Sequence, residues 1–142
     1  MKKSSGFLDT IHSYGNKGGY NKAGRGLAIG SAAGLTAGAL GHVFRPKTDP
    51  KDILTTALLG GSAAGIHNFG QGLVNSIPKD SKHRTSRAAT AGVSGTLSSL
   101  PAFMALNKLI LGKKYDGDNF KTSLIYSIGY GALAGLIHHT TE

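Results

Sequence analysis

The chain contains no cysteine and no tryptophan, and its 142 residues include only seven carboxylates, six Asp and one Glu. Without cysteine there is no disulfide framework, no thiolate metal site and no thiol nucleophile. Proline is scarce at four residues, and the 22 glycines do not recur at period three, which excludes a collagen triple helix. Charge is sparse too: 16% of residues are Asp, Glu, Lys or Arg, where a soluble domain carries about 25%. Sixteen basic residues against seven acidic ones leave a net charge of +9. An apolar fraction of 39% is too high for a disordered basic tail.

The scarcity of charge is localised. Residues 26–44, 53–78, 88–107 and 122–141 hold no Asp, Glu, Lys or Arg, and together they make 85 of the 142 positions. All 23 charges fall in the other 57. A helix in a water-soluble bundle needs a polar outer face, usually of Glu and Lys. None of the four stretches has one. Each is long enough, at about 1.5 Å per residue, to cross about 30 Å of hydrocarbon.

The expected fold is therefore all-α. Four glycine-rich, transmembrane-like helices, near residues 26–44, 53–77, 88–107 and 122–139, pack as a bundle of two hairpins. A basic, flexible, glycine-rich arm (1–25) precedes this 26–142 membrane domain. Mean hydropathy is only −0.09, because Gly, Ser, Thr, His and Asn dilute the aliphatic residues. A small-residue bundle buried inside a larger assembly is the competing environment for the same pattern.

What the chain does have is glycine at four-residue spacing. Gly26, Gly30, Gly34 and Gly38 fall on one line along a helix. Gly61 and Gly65 continue from Ala57, Gly95 stands between Ala91 and Ser99, and Gly131 and Gly135 continue from Ser123 and Ser127. Such ladders let a second backbone approach closely. In water each glycine costs a helix about 1 kcal/mol relative to Ala. In lipid the backbone has no water to turn to, so the helix persists. These nine glycines are the expected helix-packing positions. Gly30-Ser-Ala-Ala-Gly34 also recurs as Gly61-Ser-Ala-Ala-Gly65, an internal echo 31 residues on.

Polar and basic residues give two further candidate sets. His67, Asn68, Gln71 and Asn75 share one side of the second helix. Polar groups in a span face the bundle interior or water, so they are either interhelical hydrogen-bonding groups or the lining of a pore. Lys17, Lys22 and Arg25 in the arm, with Lys82, Arg84 and Arg87 in the second connection, are expected to contact anionic lipid headgroups or nucleic-acid phosphates. Pro46 and Pro50 mark the first connection, Asp116-Gly-Asp-Asn119 marks the third, and Pro101 is expected to kink or end the third helix. No carboxylate lies inside any apolar segment, and no nucleophile–base pair or metal-ligand spacing is present. No enzymatic activity, cofactor or metal is expected.

On the ladder Gly26–Gly38 and its echoes, just over half of the chain resembles glycine-zipper membrane proteins. Small size, high basicity and glycine zippers together also resemble, in character, small virion and DNA-ejection proteins of tailed bacteriophages. That resemblance implies a protein stored in a virion that enters the host envelope. It assigns no role to any residue. The expected function is thus a small membrane-inserting protein that self-associates into a pore or scaffold, with itself or other virion or membrane subunits as partners. The alternatives are a structural assembly protein that never meets lipid, and a holin-like permeabilising protein.

Overall fold

The structure, a computed structural model, describes residues 6–45 and 49–141, without the side chain of Phe7. It is all-helical over those residues. A short helix α1 (Phe7–Tyr14) leads through a kink (Gly15–Gly19) into α2 (Tyr20–Phe44). Three long helices follow: α3 (Pro50–Ser76), α4 (Arg84–Leu111) and α5 (Gly117–Thr140).

Local chemistry sets the ends. Asp49 caps α3 by accepting from the Lys51 amide at 2.9 Å, and Pro50 sits at the first helical position, where its missing N–H costs nothing. Asp116 caps α5 by accepting from the Asn119 amide at 3.0 Å. Gly112, at φ 67°, closes α4 in the left-handed conformation open to glycine. Pro46 lies outside the described residues. α4 runs on through Pro101, which is buried within it, so that proline does not end the helix.

The N-terminal region departs from the expected flexible arm. From Phe7 to Arg25 it is helical apart from a kink at Lys17 and Gly18, and α2 begins at Tyr20 rather than near 26. Gly18, at φ 107°, supplies the bend that a side chain would resist. Tyr14 and Tyr20 pack on Phe69 of α3, with ring centroids 5.1 and 5.9 Å away. Aromatic packing holds what composition alone reads as loose.

Consecutive helices run antiparallel, α2 on α3, α3 on α4 and α4 on α5. No Cα of α5 lies within 8 Å of α2 or α3 among the described residues, and α2 barely touches α4. The two hairpins are therefore laid side by side in an open layer. They do not close into a bundle, and both edge helices keep free flanks.

The core of this layer is unusual. Its buried apolar residues are Ala57, Leu73, Val74, Ala88, Ala91 and Ala105, of which only two exceed alanine in size. The rest of the interior among the described residues is Gly, Ser, Thr, Asn, Pro101 and one Arg. Among the described residues twenty-four large apolar side chains, including Leu27, Ile29, Leu58, Leu97 and Leu133, are exposed. Burying a Leu or Val yields about 1.5–3 kcal/mol. Here most of that gain is left on the outside of the molecule.

Candidate functional site

All nine ladder glycines lie between helices of the same chain. A Cβ built on Gly26 or Gly34 would stand 2.5 Å from the carbonyl oxygens of Ala64 and Thr56, and one on Gly30 would strike the carbonyl oxygen of Gly60. Gly38 meets Ile53. From the other side Gly61 meets Ser31 and Leu27, and Gly65 meets Ala23. The two Gly-Ser-Ala-Ala-Gly motifs thus touch across the antiparallel pair, Gly30 against Ala64 and Gly61 against Ser31. On the second hairpin Gly131 meets Thr96 and the Gly92 carbonyl, Gly135 meets the Ala88 carbonyl, and Gly95 meets Ala134. These faces are already occupied within one chain, so contact between copies has to use other surfaces.

The two polar candidate sets, separate in sequence, touch at one point. Gly26 lies against Ala64 and Asn68, and the Asn68 amide donates to the carbonyl oxygen of Lys22 at 3.5 Å. Lys22 and Arg25 of α2 and His67, Asn68 and Gln71 of α3 are all exposed. Lys17 and Asn75 are exposed farther toward the same end. The result is a cationic polar face on the outside of the α2–α3 hairpin. It does not point into the chain's own interior, so it lines nothing unless another molecule covers it.

The second connection behaves differently. Lys82 is exposed and Arg84 half-buried, but Arg87 retains only 1% of its accessible surface. Its guanidinium donates to the carbonyl oxygens of Val74 at 2.8 Å and Ile77 at 2.7 Å. Arg87 therefore satisfies the open end of α3, which removes it from the expected headgroup or phosphate contacts. On the same connection, a hydrogen bond from His83 holds the Asp80 carboxyl below its usual range.

A polar network that composition does not reveal holds the α4–α5 turn. The Asn107 amide donates to Asn119 Oδ1 at 3.2 Å and to Ser123 Oγ at 3.1 Å. The Asn119 amide donates to the carbonyl oxygens of Met104 and Lys114 at 3.1 and 3.0 Å. Asn119, Ser123 and Ser127 are fully buried. The only sequence signal was the turn at Asp116–Asn119.

The register of the charge-free stretches carries a physical consequence. Gly70 lies against Ser94, and Gly92 lies against Gly131 and Gly135. With these pairings the stretches in α3, α4 and α5 share a common slab of about 17 residues, or about 25 Å. The stretch in α2 is slid along its neighbour. Leu35, its midpoint, stands level with Thr56 and not with the middle of α3. That is an offset of about 10 residues, or about 15 Å. Arg25 and Lys22 consequently fall inside the slab of the other three helices.

Hydropathy distributes differently again. Among the described residues one helical segment, Leu8–Phe44, is long and apolar enough to cross a membrane: it holds an 18-residue window of mean hydropathy 1.4, of which 11% is buried. α3, α4 and α5 fall short because Gly, Ser, Thr and His occupy positions that Leu and Ile fill in an ordinary span. No cluster of three or more metal-ligating side chains occurs among the described residues. No protein-family model, curated protein or solved structure matches the chain.

Proposed function

We propose that this chain is a small membrane-inserting protein that self-associates into a scaffold or pore. One observation carries the reading: large aliphatic side chains are outside and small or polar ones inside. In water this arrangement forfeits the hydrophobic term, whereas in lipid the exposed Leu and Ile are solvated and the small residues supply close helix packing.

Self-association follows from the cationic face. A charged side chain level with the middle of a hydrocarbon slab costs about 2.5–3.5 kcal/mol on insertion scales. Covering Lys22, Arg25, His67 and Gln71 by further copies, or grouping them around water, relieves that cost. The exposed position of the α3 polar residues supports a lining built from several chains and not from one.

The register offset of α2 favours a second reading, in which the apolar perimeter is covered by other subunits of a larger particle such as a virion. Flotation separates the two. Purified protein mixed with liposomes should rise with them and stay attached in alkaline carbonate. Protein that remains at the bottom of the gradient, or is stripped by carbonate, refutes insertion.

A further inference from the structure

At the end of the molecule opposite the cationic face, the C-terminal ends of α2 and α4 and the start of α3 enclose a cleft of about 570 Å³. Its floor is Gly38, Gly41, Ile53 and Leu109. The glycines open it, since a Cβ on Gly41 would already stand 3.1 Å from Leu109. Its rim carries Arg45, Lys108 and Lys114 against Asp49 and Asp52. Lys108 pairs with Asp52 at 2.5 Å and lies 5.7 Å over the Tyr115 ring, while the Tyr115 hydroxyl meets Thr56. Arg45 donates to the Ile110 carbonyl at 3.2 Å, which holds the guanidinium over the mouth.

Three features specify the occupant. The cleft is apolar below and charged above, as an amphiphile requires. Among the described residues three cations and two carboxylates leave the rim at +1, a net positive charge that suits the single negative charge of a phosphodiester. The rim also lies where α3 and α4 pass from charge-free to charged sequence, at Asp52-Ile53 and Asn107-Lys108. In a membrane-inserted chain that is the level of lipid phosphates.

We propose that this cleft binds one phospholipid, its phosphodiester between Arg45 and Lys114 and its glycerol and upper acyl chain over Gly38, Gly41, Ile53 and Leu109. The proposal rests on the membrane reading above and makes the α2–α3–α4 end a specific lipid site in place of a diffuse basic surface. Arg supplies a planar donor fork for two phosphate oxygens and Lys a point charge.

The test uses the full chain in dodecyl maltoside, stripped of lipid and titrated with phosphatidylglycerol, with diacylglycerol, and separately with inorganic phosphate, read by native mass spectrometry. One phosphatidylglycerol per chain is expected, with diacylglycerol and inorganic phosphate each weaker by at least about tenfold, the loss of one charge-assisted contact. Gly41→Leu, which fills the floor, should abolish selective binding. Lys114→Gln, at an exposed position, should weaken it several-fold. Equal binding of diacylglycerol overturns the proposal, as does unchanged binding by Lys114→Gln. Equal binding of inorganic phosphate assigns the cleft to a soluble anion and overturns the lipid assignment. If Gly41→Leu loses helix content by circular dichroism, Lys114→Gln decides alone. Flotation with liposomes is measured beside each titration: normal flotation without selective binding removes the cleft proposal only, and failed flotation removes the membrane reading itself.

Discussion

Two glycines on α2 should respond oppositely to the same substitution. Gly30 faces α3, and a Cβ there would strike the Gly60 carbonyl and stand 2.7 Å from the Ala64 methyl. Gly24 is exposed, with nothing within 4 Å of an added Cβ. Both changes to Ala gain helix propensity of about 1 kcal/mol. At Gly24 nothing offsets that gain. At Gly30 the hairpin must open by about 1 Å, and a gap of that size forfeits about a quarter to a half of each contact's dispersion energy. Overpacking of this kind costs about 1–3 kcal/mol, and several neighbouring pairs share the loss. Gly30→Ala should therefore destabilise by about 1–2 kcal/mol net, and Gly24→Ala should be neutral or stabilising by up to about 1 kcal/mol. SDS titration of each variant in dodecyl maltoside, followed by tyrosine near-ultraviolet circular dichroism, reads both. Shifts of equal sign and size would refute close packing at Gly30.

Further outcomes follow from the polar contacts. Arg87→Ala removes the guanidinium donor from the Val74 and Ile77 carbonyls, of which Val74 keeps the Ile77 amide, and should destabilise by about 1–3 kcal/mol in the same titration; a change under about 0.5 kcal/mol, the scale of ordinary surface substitutions, would show that water replaces the guanidinium. Asn119→Ala breaks the network at the α4–α5 turn and should speed amide hydrogen exchange over residues 112–120 while leaving α2 and α3 unaffected. Burial, with a smaller push from the Asp52 carboxylate, raises the Tyr115 hydroxyl above its ordinary 10.0, against a lowering by the hydrogen bond to Thr56. A raised folded value favours the neutral form, so stability holds below pH 10 and falls as pH rises through the folded value. Tyr115→Phe should flatten that alkaline decline, and the difference titration at 295 nm between the two proteins should have its midpoint above 10.0.

Much of the architecture was legible in the sequence, for a stated reason. Charge-free stretches bounded by Pro50 and Asp116 give helices and turns, because caps and breakers act locally. The ladders at Gly26–Gly38 and Gly131–Gly135 give the contact faces, because period four on a helix is a straight line. Sliding between helices is another matter. The 15 Å offset of α2 depends on which carbonyl Gly30 meets, and every small residue along α3 is an acceptable partner by composition. The same indifference hid the meeting of Lys22 with Asn68. Arg87 misled because a basic residue in a basic loop reads as solvated, whereas its neighbour across the turn is the unsatisfied end of α3. Asn107 and Asn119 were silent because they look like turn residues and act as a buried clasp. The arm was read as loose from its glycines, and the packing of Tyr14 and Tyr20 on Phe69 is a tertiary contact that no local rule supplies.

The central claim is that the exposed aliphatic perimeter faces lipid. The chain has no cysteine, so a single one placed at Ile29, Leu97 or Leu133 can carry a spin label without background. The measurement is the label's collision rate with oxygen and with a water-soluble nickel complex, made on protein reconstituted in liposomes. The account predicts high oxygen and low nickel accessibility at all three positions. High nickel accessibility would place these side chains in water, and low accessibility to both would bury them against other protein; either result contradicts insertion.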